Sequence, residues 1–305
     1  MNYLRLAAID IGSNAARLLV TDIVQYQDTK PTFNKLNLVR VPLRLGFDVF
    51  EYKKISQEKV TMIINTMQSY KYLLEVYDVK NYKAIATSAM RDAENSQEII
   101  QVVKQETGIE IEVISGDTEA AVIYENHFAE NLNREFSYMY IDVGGGSTEL
   151  TLFYDNQMVF KKSFDIGTIR LLKNQVGEKQ WMEMKDFLKE NIKNQKKLVA
   201  IGTGGNINKI FSMSKKKDGK SLPLDLLKDY HKEFSNFPLH ERMRVYSLRE
   251  DRADVIVPAL QVYINVMRWS NADEIFVPKI GLADGLIQVL YKELVGQWSM
   301  VNGEW

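Results

Sequence analysis

The 305-residue sequence predicts an α/β fold built as two lobes of like topology. Two observations carry this. Three strand-like apolar segments open the chain and three more open it again after residue 135, each triplet leading into helical stretches and further short strands. Each triplet also starts with a strand that ends in Asp and enters a Gly-containing turn, Asp10-Ile11-Gly12-Ser13-Asn14 in the first and Asp142-Val143-Gly144-Gly145-Gly146 in the second. A single α/β domain with accidental likeness between its halves is the competing arrangement.

Taken in order, Leu4–Ile11, Arg17–Val24 and Phe33–Leu45 read as a β-meander. Ser56 is placed to cap a helix whose apolar residues Val60, Ile63, Ile64, Met67, Tyr70 and Leu74 recur at three- and four-residue steps along one face. Lys83–Thr87 and Ile109–Ile114 read as short buried strands, each with a helical stretch behind it. The second triplet is Phe136–Val143, Glu149–Phe153 and Gln157–Phe164. Helical segments follow, then the strand Leu198–Ile201 and the loop Gly202-Thr203-Gly204-Gly205-Asn206. Ser247 and Glu250 have capping-box spacing ahead of an apolar stretch reaching Trp269, in which Pro258 marks either a kink or the true helix start. Glu274–Val277 reads as a last strand and Leu282–Leu294 as a last helix.

Composition narrows the chemistry. No Cys is present, which excludes disulfides, thiolate catalysis and Cys-ligated metal, and three His (His127, His231, His240) leave little for a histidine-rich centre. Oxygen ligands remain. The opening residues lack the apolar core of a signal peptide and no run of 18 apolar residues occurs, so a soluble cytoplasmic protein is expected. The net charge of −1 conceals a partition: residues 91–160 carry 14 acidic and 3 basic side chains, residues 161–220 carry 6 acidic and 15 basic. A uniformly basic nucleic-acid binder is excluded, while Lys161, Lys162, Arg170, Lys196, Lys197 and the Lys215–Lys220 run could guide a polyanion.

Two loops could carry chemistry. Gly12, Ser13 and Asn14 offer backbone amides to an anionic oxygen, although Gly-Ser-Asn would serve a tight hairpin turn equally well. In Asp142–Glu149 three consecutive glycines lose chain entropy on folding and contribute no packing, so close backbone approach is implied, with a turn that holds no ligand as the competing reading. Phosphate fits there: the amides of Gly144, Gly145, Gly146 and Ser147 and the hydroxyls of Ser147 and Thr148 are donors, while Asp142 and Glu149 suit a hard cation such as Mg²⁺. Two loops of related design suggest phosphate bound between the lobes.

These motifs resemble the phosphate loops of the actin, sugar-kinase and Hsp70-type ATPase superfamily, a pair of ribonuclease H-like lobes with an interlobe phosphate-binding cleft. Within it the sequence is most similar to the exopolyphosphatase/guanosine-pentaphosphate phosphatase family. The matching motifs are AIDIGSNAARLL at 8–19, AIATSAMRDAEN at 84–95, VISGDTEA at 113–120, YIDVGGGSTEL at 140–150, SFDIGTIRLL at 163–172, AIGTGGNINKI at 200–210 and RADVIVPAL at 252–260. The repeated pattern places the lobe boundary near residue 126, giving an N-terminal lobe of residues 1–126 and a C-terminal lobe of 127–305, whose last helix can pack back on the first lobe.

The resemblance further implies that Glu119 is the catalytic carboxylate, taking a proton from the attacking water, and that Arg91 contacts phosphate. Without it, Glu119 would read as a helix-dipole partner and Arg91 as an ion pair with Asp92 or Glu94. The cofactor implied is Mg²⁺ or another divalent cation. The partners implied are polyphosphate or guanosine penta- or tetraphosphate, with no DNA, no membrane, and a homodimer as the assembly considered. Ala15 stands where the family usually has Ser, and Ala283 and Asp284 interrupt its GLREG motif. The His-Asp domain of longer members is expected to be missing. Two activities stay open: removal of terminal phosphate from polyphosphate or guanosine pentaphosphate, and a regulatory module that binds such ligands with little turnover. An actin-like kinase or filament former ranks below both.

Overall fold

β1 (Asn2–Ile11), β2 (Ala16–Gln25) and β3 (Thr32–Val41) form the first meander of the computed structural model, which describes residues 2–26, 29–124, 136–155, 157–192 and 198–302. Then come α1 (Leu45–Tyr52), α2 (Gln57–Val76), β4 (Asn81–Ala86), α3 (Ser88–Asp92), α4 (Ser96–Thr107), β5 (Ile111–Val113) and α5 (Gly116–Tyr124). The pattern restarts with β6 (Ser137–Val143), β7 (Thr148–Tyr154), β8 (Gln157–Phe164), α6 (Thr168–Leu172), α7 (Glu178–Ile192), β9 (Leu198–Thr203) and α8 (Gly205–Met213). The remainder is β10 (Leu222–Pro223), α9 (Leu224–Asn236), α10 (Leu239–Tyr246), α11 (Glu250–Ala253), α12 (Ile256–Trp269), β11 (Glu274–Phe276) and α13 (Leu282–Asn302).

The chain divides into two units, residues 1–126 with 281–305 and residues 127–280. The boundary expected at residue 126 lies outside the described residues, as do Lys196 and Lys197. The first unit's sheet has the order β3-β2-β1-β4-β5 and the second's β10-β11-β9-β6-β7-β8, so β8-β7-β6-β9-β11 repeats the first order strand for strand. In both, a three-stranded antiparallel meander continues into parallel strands. Central β1 is apolar throughout Leu6–Ile9 because both its faces are covered, whereas edge strand β3 keeps many residues exposed.

The stripe read on α2 is real: Val60, Ile63, Met67, Tyr70 and Leu74 are all buried. In the first unit α13 packs on β1, β2 and α5, burying Leu282, Ala283, Leu286 and Ile287 in the same core as Leu6, Ile85 and Val122. Each Leu, Ile or Val among these contributes about 1.5–3 kcal/mol on full burial. The second unit's core gathers Met139, Ile141, Leu150, Ile207 and Phe211 with Ala259, Val262, Tyr263 and Val266 of α12.

Two expectations need correction. The third strand stops at Val41, not Leu45, because Pro42 has no N–H for the ladder and Arg44 turns left-handed (φ 55°) to start α1. Ser247 caps no N-terminus: it ends α10 in a left-handed conformation (φ 49°), and Arg249 precedes α11. Of the two readings of Pro258, the helix start holds: it sits in the first turn of α12, where its missing N–H costs nothing.

Candidate active site

Both meanders turn in the same way. Gly12 N donates to Ala15 O at 3.0 Å and Gly144 N donates to Ser147 O at 2.9 Å, each closing a four-residue loop between the first two strands of its unit. These two amides are therefore spent within the turns. The carbonyls of the following residues are held by helix starts: Gly46 N bonds Ser13 O and Arg44 N bonds Asn14 O, at 2.8 and 2.9 Å. In the second unit Thr168 N bonds Gly144 O and Ile169 N bonds Gly145 O, at 3.0 and 2.8 Å, while Arg170 Nε donates to Gly146 O at 2.8 Å. With the carbonyls turned toward α6, the amides of Gly145 and Gly146 donate to nothing among the described residues, as an anion-binding turn requires.

The predicted hydroxyl donors fare differently. Thr148 is fully buried and donates to Ile166 O at 2.5 Å, so its expected role as a phosphate donor is corrected to an anchor between β7 and α6. Ser147 Oγ donates to Glu149 Oε1 at 2.6 Å, and Ser163 Oγ donates to the same oxygen at 2.9 Å. Ser13 Oγ pairs with Ser88 Oγ at 2.7 Å. Ala15 and Ala283, two of the departures from the family pattern, are buried packing residues.

In the first unit the C-terminal ends of β1, β4 and β5 bring three motifs side by side, the usual position for a ligand in such sheets. Thr87 N bonds Ile11 O at 3.1 Å, and Arg91 Nη1 donates to Ile114 O at 3.1 Å. Arg91 thereby ties α3 to the approach of α5, whose first turn carries Glu119 with its N–H on Ser115 O at 2.9 Å. The Arg91–Asp92 approach of 3.9 Å is loose by comparison.

Charge separates the two sheets at equivalent positions. Across β1-β2-β3 the row is Asp10, Arg17, Arg40; across β6-β7-β8 it is Asp142, Glu149, Ser163. Asp10 is buried and ion-paired to Arg17 at 2.8 Å; burial pushes its carboxyl up, and Arg17 opposes that. Asp142 faces a second carboxylate instead. Like charges directly opposite on one face destabilise a sheet, and a cation lying with them would relieve that. Two further features of this unit fit a hard cation: Thr203 Oγ1, on the residue in register with Asp142, is buried without a partner among the described residues, and Gly204 leaves no side chain over the Asp142 carboxylate.

Several functional neighbours escaped sequence reasoning. Gly167 has no room for a side chain, since a Cβ would stand 2.4 Å from Gly145 O. Arg170, expected to guide a polyanion, instead has a largely buried side chain supporting the glycine loop. Tyr263 donates to Thr203 O, and burial, then the Asp142 charge, hold its hydroxyl well above the usual phenol range. The SFDIGTIRLL motif contained the signal for the first two, because it holds both Gly167 and Arg170. Of the basic candidates, Lys162 pairs with Glu183 at 3.0 Å on edge strand β8, and the Lys215–Lys220 run lies near the opposite edge, beside β10. No helix among the described residues is long and apolar enough to cross a membrane.

Comparison with known proteins agrees with this geometry. A profile described as the Ppx/GppA phosphatase family matches residues 23–294. The bifunctional 3-dehydroquinate synthase/phosphatase of Fusobacterium nucleatum is 30% identical over 303 residues, covering 90% of this chain and 45% of its own length. Exopolyphosphatase 1 of Mycobacterium tuberculosis is 24% identical over 307 residues, covering 93% of this chain and 87% of its own. A crystal structure of an exopolyphosphatase from Cytophaga hutchinsonii superposes with a TM-score of 0.81 at 26% identity, covering 96% of this chain and 98% of that one. The duplicated sheets, the paired glycine turns and the profile match over most of the chain make this protein a member of the Ppx/GppA phosphatase family, with the two-lobe actin-like ATPase fold.

Proposed function

We propose that the chain is a divalent-cation-dependent phosphohydrolase that removes a terminal phosphate from inorganic polyphosphate or the 5′-phosphate of guanosine pentaphosphate. The observation that carries this reading is the placement of Asp142 and Glu149 as opposed carboxylates beside a loop with two undedicated glycine amides. Asp142 and Glu149 hold the cation, with Mg²⁺ the expected ion; when bound it neutralises charge on the phosphoryl oxygens. Gly145, Gly146, Ser13, Asn14 and Arg91 hold and orient phosphate. Glu119 takes the proton from a water whose oxygen bonds the terminal phosphorus as the bridging anhydride bond breaks, and the shortened chain leaves with the bridging oxygen.

The basic residues at opposite edges of the second sheet favour a compact substrate over a long chain tracked along that unit. Phosphate release from long polyphosphate, short polyphosphate and guanosine pentaphosphate, each with and without Mg²⁺, tests the reading. Release should depend on the cation and be abolished in Glu119→Gln, with ligand binding kept. Undiminished turnover in that variant removes Glu119 from the mechanism. Tight binding of these ligands by the wild type without any turnover would establish the regulatory module instead.

A further inference from the structure

α12 reaches the Asp142 region through one polar atom. Tyr263 is 1% exposed, and its Oη donates to Thr203 O at 2.5 Å. Thr203 ends β9 in register with Asp142 on β6. The next residue, Gly204, is left-handed (φ +96°), and a Cβ placed on it would stand 2.8 Å from Asp142 Oδ1 and 3.8 Å from Tyr263 Oη. Phenol, loop backbone and carboxylate are thus layered in that order inside one unit. Arg252 holds the other end of the loop: it donates to Asn206 Oδ1 at 2.8 Å, and a Cβ on Gly205 would meet its Nη1 at 2.6 Å.

We infer that Tyr263 is a positioning residue for Asp142. Its hydroxyl fixes the Thr203 carbonyl, hence the left-handed Gly204 peptide against which the Asp142 carboxylate rests, so cation affinity depends on a phenol that contacts neither cation nor substrate. The reason is geometric. Gly204 has the widest backbone freedom of any residue type; Asn208 N caps its carbonyl at 3.3 Å, and from outside the loop Tyr263 holds the Thr203 end and Arg252 the Asn206 end. A hard cation held by few carboxylates is sensitive to their placement. This inference rests on the cation reading above.

The test uses the full chain and Mn²⁺ as the probe, with free Mn²⁺ counted by electron paramagnetic resonance. Tyr263→Phe should weaken Mn²⁺ binding about tenfold, the lower end of what losing support for a metal ligand costs, with an unchanged far-UV circular dichroism spectrum. Gly204→Ala, which presses a methyl group on Asp142 Oδ1, should weaken it as well and serves if the phenylalanine variant does not fold. Ile210→Val, a core change on α8, controls for lost stability and should keep wild-type affinity. Wild-type Mn²⁺ affinity in folded Tyr263→Phe, or in Gly204→Ala where the former does not fold, overturns the inference while leaving the cation reading intact. No Mn²⁺ binding by the wild type, or undiminished binding by Asp142→Asn, overturns both.

Discussion

Glu149 stands directly across the β6-β7 ladder from Asp142, where the matching position in the first unit, opposite Asp10, is Arg17. The same place in a duplicated sheet thus pairs an acid with a base in one unit and two acids in the other. Ser147 and Ser163 donate to Glu149, which eases its burial without removing the repulsion between the two carboxylates. If a divalent cation binds there as proposed, it offsets this repulsion, and stability should respond to cation.

Glu149→Gln keeps an acceptor for both serine hydroxyls and removes one of the opposed charges. In chelator-treated buffer the variant should unfold at or above the wild-type temperature, reflecting about 0.5 kcal/mol of relieved repulsion. Added Mg²⁺ should raise the wild-type Tm and leave the variant's unchanged. Thermal denaturation with and without the cation checks both halves.

Gly167→Ala should disable the glycine loop. The new methyl group would meet the backbone of Gly145 and Gly146 at 2.4 Å, and backbone cannot yield as a flexible side chain does. A loss of about 1–3 kcal/mol is expected from overpacking, together with a rise in KM for the phosphorylated substrate as the Gly145 and Gly146 amides are displaced. Denaturant titration and steady-state phosphate release measure the two effects.

Gly285→Ala should act on Glu119 from a distance within the first unit. Gly285 lets α13 lie against α5, and a Cβ there would stand 1.9 Å from Val122 O, one helical turn beyond Glu119. α13 or α5 must shift, at about 1–3 kcal/mol. The expected kinetic signature is a fall in kcat with little change in KM, read from substrate-saturation curves.

Asp22 gives a pH-dependent contribution remote from the site. Arg5 grips it through Nε and Nη2 at 2.7 and 3.2 Å and the Tyr3 hydroxyl donates to it at 2.7 Å, so Arg5 first and Tyr3 after it hold the carboxyl below its usual range. A carboxyl with a lowered folded pKa stabilises fully above its unfolded value, about 3.9, and loses that contribution as pH falls through the folded value. Asp22→Asn should therefore lower Tm by a constant amount from pH 8 to 5, and the gap should close below about pH 4. Denaturation scans across that range decide it.

Element order, the two Asp-Gly punctuations and the amphipathic stripe of α2 were legible in the sequence because each is written in a window of a few to twenty residues, where periodicity and turn composition act directly. The repeat of β3-β2-β1-β4-β5 as β8-β7-β6-β9-β11 follows from that restart, and Asp142 and Glu149 were readable as a pair from a single motif. Only the tertiary structure decided how the donors are used. Gly144 N is consumed by its own turn, Thr148 is buried against Ile166, and Arg170 supports the Gly146 carbonyl instead of meeting a polyanion. Tyr263 reaches Thr203 across sixty positions of chain. A hydrogen-bond donor's role depends on which acceptor lies within about 3 Å of it once the chain is packed, and no local window of sequence contains that partner.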